Sequence, residues 1–436
     1  MKPVHRARVI FAFALLALVA SWLLARGPAW ILINFGASYV WLWLAFGLVT
    51  RASPQEHTLR FVLTTTSLGL AVVLLEVLAL FQLVDYRLLF RNRIAAPWKD
   101  PAYVVDPELI YRRPAHFTAS GETYGDITYL LDVPHAQPYP FEVHLDSNGF
   151  RNPVDLVKAD VALLGDLFIE AGLVRDEDHV ATVLGALRGE VVAGLGSAGY
   201  GPHQQQVLLR DYAIPLAPHT AVWLFFEGND LQNLATWDLL KADVGRTQGR
   251  VSFTERSFTH NALERLVNTI GHTGPPARRR VGLVRAAGDT QRTYFLYATP
   301  QIQPRHLEAL DRLHGMLRES FALANERNVR LLVAFVPIKY RVYHERLIEA
   351  GPVTSTWSIN DMPARVEQIV KSISPEFGFV DLTPALTAAL DADGPPYFPD
   401  DSHWNGIGHR AAARAIHQAI RAMTGQAPGQ NLPAGS

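Results

Sequence analysis

Cysteine is absent from this 436-residue chain, which removes disulfides, thiolate nucleophiles and thiolate zinc sites together and leaves the redox compartment open. An excess of either charge is absent too. With 40 Lys and Arg against 41 Asp and Glu there is no broad field to draw in nucleic acid, so no nucleic-acid partner is expected. The chain has no internal repeat, no glycine-rich phosphate loop, and no set of histidines and acids at metal-ligand spacing; neither a metal nor a cofactor is expected. Apolar sequence, by contrast, is plentiful: hydrophobic residues make up 49%, and part of that share lies in long uninterrupted runs.

Three such runs, Val9 to Ala25, Ala29 to Thr50 and Phe61 to Val84, come near the roughly 20 residues that a helix needs to cross a bilayer. They predict three transmembrane helices in a membrane domain of residues 1–84. A cleaved signal peptide would explain the first run alone, but no clear small-residue cleavage site follows it, and two more runs come next. Flanking charge gives a tie: Lys2, Arg6, Arg8, Arg51 and Arg60 on one side, Arg26, Arg87, Arg91, Arg93 and Lys99 on the other. The first helix breaks it, because Lys2, Arg6 and Arg8 outnumber Arg26 across that helix. The expectation is a cytoplasmic N-terminus and, after three crossings, an extracytoplasmic globular domain on a bacterial-type inner membrane. Glu76 lies inside the third run, where an ionised carboxylate is costly; with little besides Asn34 as polar company it reads as a structural hydrogen-bonding group. Trp30, Trp41 and Trp43 read as interfacial anchors and packing.

Residues 85–153, rich in Pro, Tyr and Arg, read as a connector in which the alternating runs ITYLLDV and YPFEVHLD form a small antiparallel unit. Beyond it, from residue 154 to 424, short apolar runs alternate with amphipathic ones: DVALLGD, DHVATVLGALRG, EVVAGLG, QQQVLLRDYAI, TAVWLFFEG. This βαβ rhythm breaks at an insertion spanning about 241–301, where Arg278, Arg279 and Arg280 read as a solvated loop. The rhythm resumes with a helix from Pro304, the strand VRLLVAFVP, a helix from Asp361, the strand FGFVDLT and a last helix over Gly408 to Met423. Five buried strands with interposed helices give an α/β fold with a parallel sheet covered on both faces and ligands at the carboxyl ends of the strands. The Gly, Pro and Gln tail over 425–436 reads as disordered.

Acyl transfer by a hydroxyl needs an imidazole to take its proton, a carboxylate to orient the imidazole and N–H donors for the oxyanion. Residues of these kinds fall at the predicted strand ends: Gly165, Asp166 and Leu167 after the first strand; Gly196, Gly199 and Gly201 after the second; Glu227, Gly228, Asn229 and Asp230 after the third; Asp400, Asp401 and His403 before the last helix. Taken singly, His403 reads equally as a loop histidine held by a carboxylate, Asn229 as a helix cap, and His409 as structural.

The ordered set resembles the SGNH, or GDSL, hydrolases, in particular their membrane-anchored, extracytoplasmic members that remove or transfer acyl groups on envelope polysaccharides. The resemblance covers Asp146 to Met423 and rests on DSNGFRNP, LGDLFIEAG in place of the family's GDSF-like turn, GSAGYGPHQQ, FFEGND, VPIKYRVY and DSHWNGIGH. It implies a flavodoxin-like three-layer sandwich. It also implies that His403 is the general base, that Asp401 or Asp400 orients it, depending on whether a D-x-H or D-x-x-H spacing applies, and that the N–H of Leu167, the N–H of Gly199 and the amide of Asn229 are the oxyanion donors. Lys339, Tyr340 and Tyr343 match a run that lines the cleft in the family, and packing of the tyrosines against the sheet explains them as well.

The departure is Leu167, which stands where the family has its serine. Leucine can neither attack a carbonyl nor pass a proton to His403. Removing the nucleophile from such a triad costs about six orders of magnitude, while the remaining donors keep roughly 10³ to 10⁴ over the uncatalysed reaction. The nearest serines, Ser197 and Ser402, are poorly placed as substitutes. The expectation is a degenerate relative of carbohydrate O-acyl esterases and acyltransferases that binds an acylated glycan or a polysaccharide-assembly protein and sits in the lipid bilayer; the competing reading is an active ester hydrolase or O-acyltransferase that uses water activated by His403 or an unrecognised nucleophile.

Overall fold

The computed structural model describes residues 37–45, 54–90, 99–100, 102–131, 133–247, 250–271, 276–299 and 302–425. It divides into two compact units, residues 1–92 with 252–265, and residues 93–251 with 266–436.

In the first unit the dominant element is helix α1 (Pro54–Leu80). Among the described residues it is the one helix long and apolar enough to cross a membrane. Its 27 residues, at about 1.5 Å each, reach about 40 Å, more than the roughly 30 Å hydrocarbon core. Leucines and valines such as Leu63, Leu70 and Val73 stand exposed along it, as lipid-facing residues would. Of the three spanning runs expected from sequence, this is the third. The first lies outside the described residues, and the second is described only over residues 37–45, which are helical. That short helix packs on α1 through Tyr39 against Phe61, centroids 5.1 Å apart, and through the Trp43 carbonyl on His57 Nε2 at 2.9 Å. Glu76 Oε1 accepts hydrogen bonds from Ser257 Oγ at 3.1 Å and from the Thr259 N–H at 2.7 Å, which matches its reading as a structural group.

The second unit begins with two small antiparallel ladders, β1 (Val104–Asp106) with β2 (Ile110–Arg112) and β3 (Thr118–Thr123) with β4 (Tyr139–His144). The expected partner of YPFEVHLD was ITYLLDV. The actual partner is TASGET, and Asp126–Leu131 is a helix. Ile127 alone of that helix is fully buried, and the Asp126 N–H is drawn to Asp401 Oδ2 at 2.7 Å, a tertiary bond that outweighs the β-leaning pattern.

The central sheet follows, built from β5 (Val161–Gly165), β6 (Val192–Gly196), β7 (Thr220–Phe226), β10 (Arg330–Val336) and β12 (Gly378–Asp381), with β8 (Val281–Ala286), β9 (Asp289–Tyr294) and β11 (Leu347–Ala350) outside it. The order is β12-β10-β7-β5-β6, all parallel. Successive residues of a strand face opposite sides, and the core divides accordingly. Leu164, Trp223 and Phe335 pack with Leu313 and Val366 on one face, while Leu163, Leu224 and Ala334 pack with Leu184 and Ile416 on the other. The result is a three-layer sandwich, as the sequence rhythm predicts. The chain leaves β5 for β6 on one side and returns to place β7 on the other, so the strand order reverses beside β5 and opens a crevice at its carboxyl end. The insertion holds something the sequence did not announce: β8 pairs with β9 and β11 in a three-stranded antiparallel sheet whose strands, VGLVRA and DTQRTY among them, have too little apolar alternation to be recognised. The tail over 426–436 lies outside the described residues.

Candidate active site

At the end of β5 the chain makes one helical turn, Leu167–Glu170, capped by Asp166, whose carboxylate accepts the Phe168 N–H at 3.0 Å. Room for this turn comes from glycine at the end of the neighbouring strand: a Cβ on Gly196 would lie 2.7 Å from Ile169 Cβ and 2.9 Å from the Asp166 carbonyl. Leu167 is half-buried and faces a cavity of about 580 Å³ whose wall it shares with Asp401, His403 and Trp404. The other walls come largely from the connector, including Phe117, Phe141 and Val143.

His403 and Asp401 form a tight pair. The Asp401 Oδ1 accepts both the His403 N–H at 2.8 Å and Nδ1 at 2.7 Å, so the imidazole is held by Nδ1 and presents its other edge elsewhere. Asp400 does not take part: its carboxylate accepts the hydroxyls of Thr128 and Tyr139. The structure thus separates two residues that sequence left equivalent: Asp401 is held on the imidazole and Asp400 on two hydroxyls of the connector. A third carboxylate joins the pair from the connector. Asp126 Oδ2 lies 4.0 Å from His403 Nδ1, and Asp126 also accepts the N–H of Ser402 at 2.8 Å and its hydroxyl. Burial disfavours charge on the imidazole, yet Asp401, Asp126 and Asp166 together carry the His403 pKa up to about 9. Burial and the neighbouring Asp401 push Asp126 up to about 6; Asp401, opposed by its own burial, is held below the ordinary range by His403. The side-chain ligand atoms of Asp126, Asp401 and His403 lie within 4.8 Å of one another, a spacing compatible with a divalent cation, but hydrogen bonds within the protein already engage both oxygens of each carboxylate.

The loop carrying His403 is clamped from below. Lys339, 3% exposed, donates its ammonium to the carbonyls of Phe398 at 2.6 Å, Pro399 at 2.8 Å and Asp401 at 3.2 Å. Tyr340 and Tyr343 are buried in the core, with Tyr340 Oη donating to the Trp357 carbonyl and Tyr343 Oη accepting the Tyr397 N–H, so neither lines the cleft.

Two expected oxyanion residues stand apart from the cavity. Gly199, at φ 79°, is covered by Tyr111: a Cβ there would lie 2.8 Å from the tyrosine hydroxyl, which donates to the Ala198 carbonyl at 2.9 Å. Ala198 lines the cavity instead, and its N–H is taken by Glu170 Oε2 at 2.7 Å. Asn229 does not line the cavity either. Its neighbours Glu227, Gly228 and Leu231 border a second hollow of about 400 Å³, and its Oδ1 is buried without a hydrogen-bond partner. Both serines are engaged elsewhere, Ser197 with Glu170 at 2.9 Å and Ser402 with Asp126. His409 is fully buried, accepts the Val180 N–H at 3.1 Å and is structural. Arg280 of the arginine triplet donates to the Leu296 carbonyl at 2.8 Å.

Sequence reasoning missed Asp126, Arg113 and Glu170. Arg113 Nη2 meets Glu170 Oε1 at 2.6 Å with its guanidinium 4.0 Å over the Tyr103 ring, and this pair ties the connector to the first turn of the site. Nothing in the connector's sequence marks Asp126 or Arg113, since each meets its partner only through the tertiary fold.

Residues 295–434 match the family model described as SGNH hydrolase-like domain, acetyltransferase AlgX. This segment is similar to an SGNH hydrolase-like domain. The matched segment contains β10, β12 and the loop of Asp401 and His403. Among solved structures, a GDSL-like lipase from Bacteroides thetaiotaomicron shares 16% identity, with 60% of this chain and 87% of that one covered, at a TM-score of 0.30. A putative acylhydrolase from Bacteroides fragilis shares 16% over 62% and 91%, at 0.32. A carbohydrate esterase family 2 enzyme with its carbohydrate-binding domain, from Corynascus thermopiles (Myceliophthora fergusii), shares 10% over 67% and 74%, at 0.33. No curated protein matches the chain in sequence. Leu167, which lies outside the matched segment, lines the same cavity as Asp401 and His403.

Proposed function

We propose that the protein is a membrane-anchored, extracytoplasmic binding member of the SGNH group, which holds an acylated ligand such as an ester-substituted glycan in the cavity beside Leu167 and forms no acyl-enzyme. One observation carries this reading: the residue on the cavity wall with the His403–Asp401 pair is a leucine, and the hydroxyls of Ser197 and Ser402 are spent on carboxylates. Helix α1 supports the anchor, and the AlgX-type match is in keeping with an extracytoplasmic location; the other two spans, the cytoplasmic N-terminus and the inner membrane are proposed from the sequence alone. Polysaccharide-assembly proteins are the partner class that fits.

Slow hydrolysis by His403-activated water is the second reading, favoured by the intact His403–Asp401 pair. A pKa of about 9 weighs against it, because only about 1% of the imidazole is then neutral and able to act as a base at pH 7.

The test is ester hydrolysis by the full chain in lipid nanodiscs, with chromogenic esters from acetyl to octanoyl. The native protein is expected to match its His403→Ala variant, while Leu167→Ser gains turnover that rises with pH toward 9. Native turnover that His403→Ala abolishes would overturn the binding role.

A further inference from the structure

We infer that the cavity takes a medium-chain acyl group and not an acetyl group or a bare sugar ring. The inference rests on the proposed function and names the ligand's chemistry.

Size comes first. At about 580 Å³ the cavity falls in the range, roughly 300–1,000 Å³, that encloses whole drug-sized ligands, and the two carbons of an acetyl group would leave most of its wall bare. Wall chemistry comes second. Phe117, Ala119, Phe141, Val143, Leu173 and Val174 are all among the cavity's lining residues. It is closed where the β3–β4 hairpin meets the loop after Glu170: a Cβ on Gly172 would lie 3.1 Å from Val143 Cγ2. Third, the charged groups at the polar end are already matched within the protein, Arg113 with Glu170, Asp126 with Ser402 and Asp401 with His403. A sugar ring pushed against these residues would lose water from its hydroxyls and find phenyl and aliphatic surface in exchange, leaving those hydroxyls unpaired. A hydrocarbon chain loses nothing there and gains with every methylene buried. The polar end beside Leu167 and His403 suits the ester group, with the alcohol part directed out of the cavity.

Because the chain lacks cysteine, a single thiol can report on the cavity. Leu167→Cys and, as a reference, Val157→Cys at a site 93% exposed, are prepared as full-length protein in phosphatidylcholine nanodiscs. Each is treated with methyl, butyl, hexyl and octyl methanethiosulfonate; the thiolate attacks the alkylthio sulfur, a mixed disulfide forms and methanesulfinate leaves. The rate at position 167 relative to position 157 should climb about fourfold per buried methylene, reaching about 200- to 250-fold between butyl and octyl. The reference position corrects for partition of the reagents into lipid. Ala119→Trp added to Leu167→Cys should abolish the length dependence and leave the methyl reagent reactive. A rate ratio independent of chain length, with the methyl reagent still reacting at 167, overturns the acyl inference and leaves the ligand cavity standing. No reaction at 167 with any reagent, while 157 reacts, overturns both.

Discussion

The substitution Asp126→Asn removes one charge from the neighbourhood of His403 and preserves the shape and the acceptor for the Ser402 N–H. Its effect can be worked from the geometry. Two unit charges 4.0 Å apart, as Asp126 Oδ2 and His403 Nδ1 are, interact by about 4 kcal/mol at an effective dielectric of about 20, which sets a ceiling near three pKa units. Asp401, at 2.7 Å and hydrogen-bonded, contributes more than Asp126 does, so the lower end of the usual one-to-three-unit range applies. With its own pKa near 6, Asp126 is ionised throughout the range in which His403 titrates, so the whole of its charge is lost in the variant. The His403 midpoint should therefore fall from about 9 to roughly 8. Long-range ¹H–¹⁵N correlation spectra of the imidazoles, recorded across pH 5 to 11 and assigned with His403→Gln, measure it directly. The same shift governs stability. His403 binds its proton more tightly folded than unfolded, so its contribution is complete below the unfolded value of about 6.5 and disappears as pH rises through about 9. Native protein should lose more thermal stability between pH 6 and 10 than His403→Gln does. An unchanged midpoint in Asp126→Asn, or a native midpoint near 6.5, would refute the electrostatic account of the site.

Two further outcomes test how the site is held. Glu170→Gln leaves Arg113 beside a neutral amide in a buried setting, and breaking such a pair costs about 3–5 kcal/mol, so the melting temperature of the domain should fall by about 10 °C; a change under about 2 °C would mean the pair does not hold the connector. Lys339→Met deprives three carbonyls of their donor and should speed amide hydrogen exchange over residues 398–403 at least tenfold; unchanged protection would remove Lys339 from its role as clamp.

Local sequence was enough for the five central strands, the helices over 304–326, 362–373 and 406–423 and the apolar run of α1, because each rests on a periodicity or a run length that burial imposes residue by residue. It was also enough to place Leu167 at a strand end and to pair His403 with one of two neighbouring carboxylates. Tertiary structure decided the rest. It chose Asp401 over Asp400, made Asp126–Leu131 a helix that brings Asp126 to the imidazole, put Tyr111 over Gly199, and lined the cavity with the β3–β4 ladder. These features have one physical cause. They depend on pairs of groups far apart in the chain, 275 residues in the case of Asp126 and Asp401, and the energy of such a pair depends on distance and burial, neither of which leaves a mark on the neighbouring sequence.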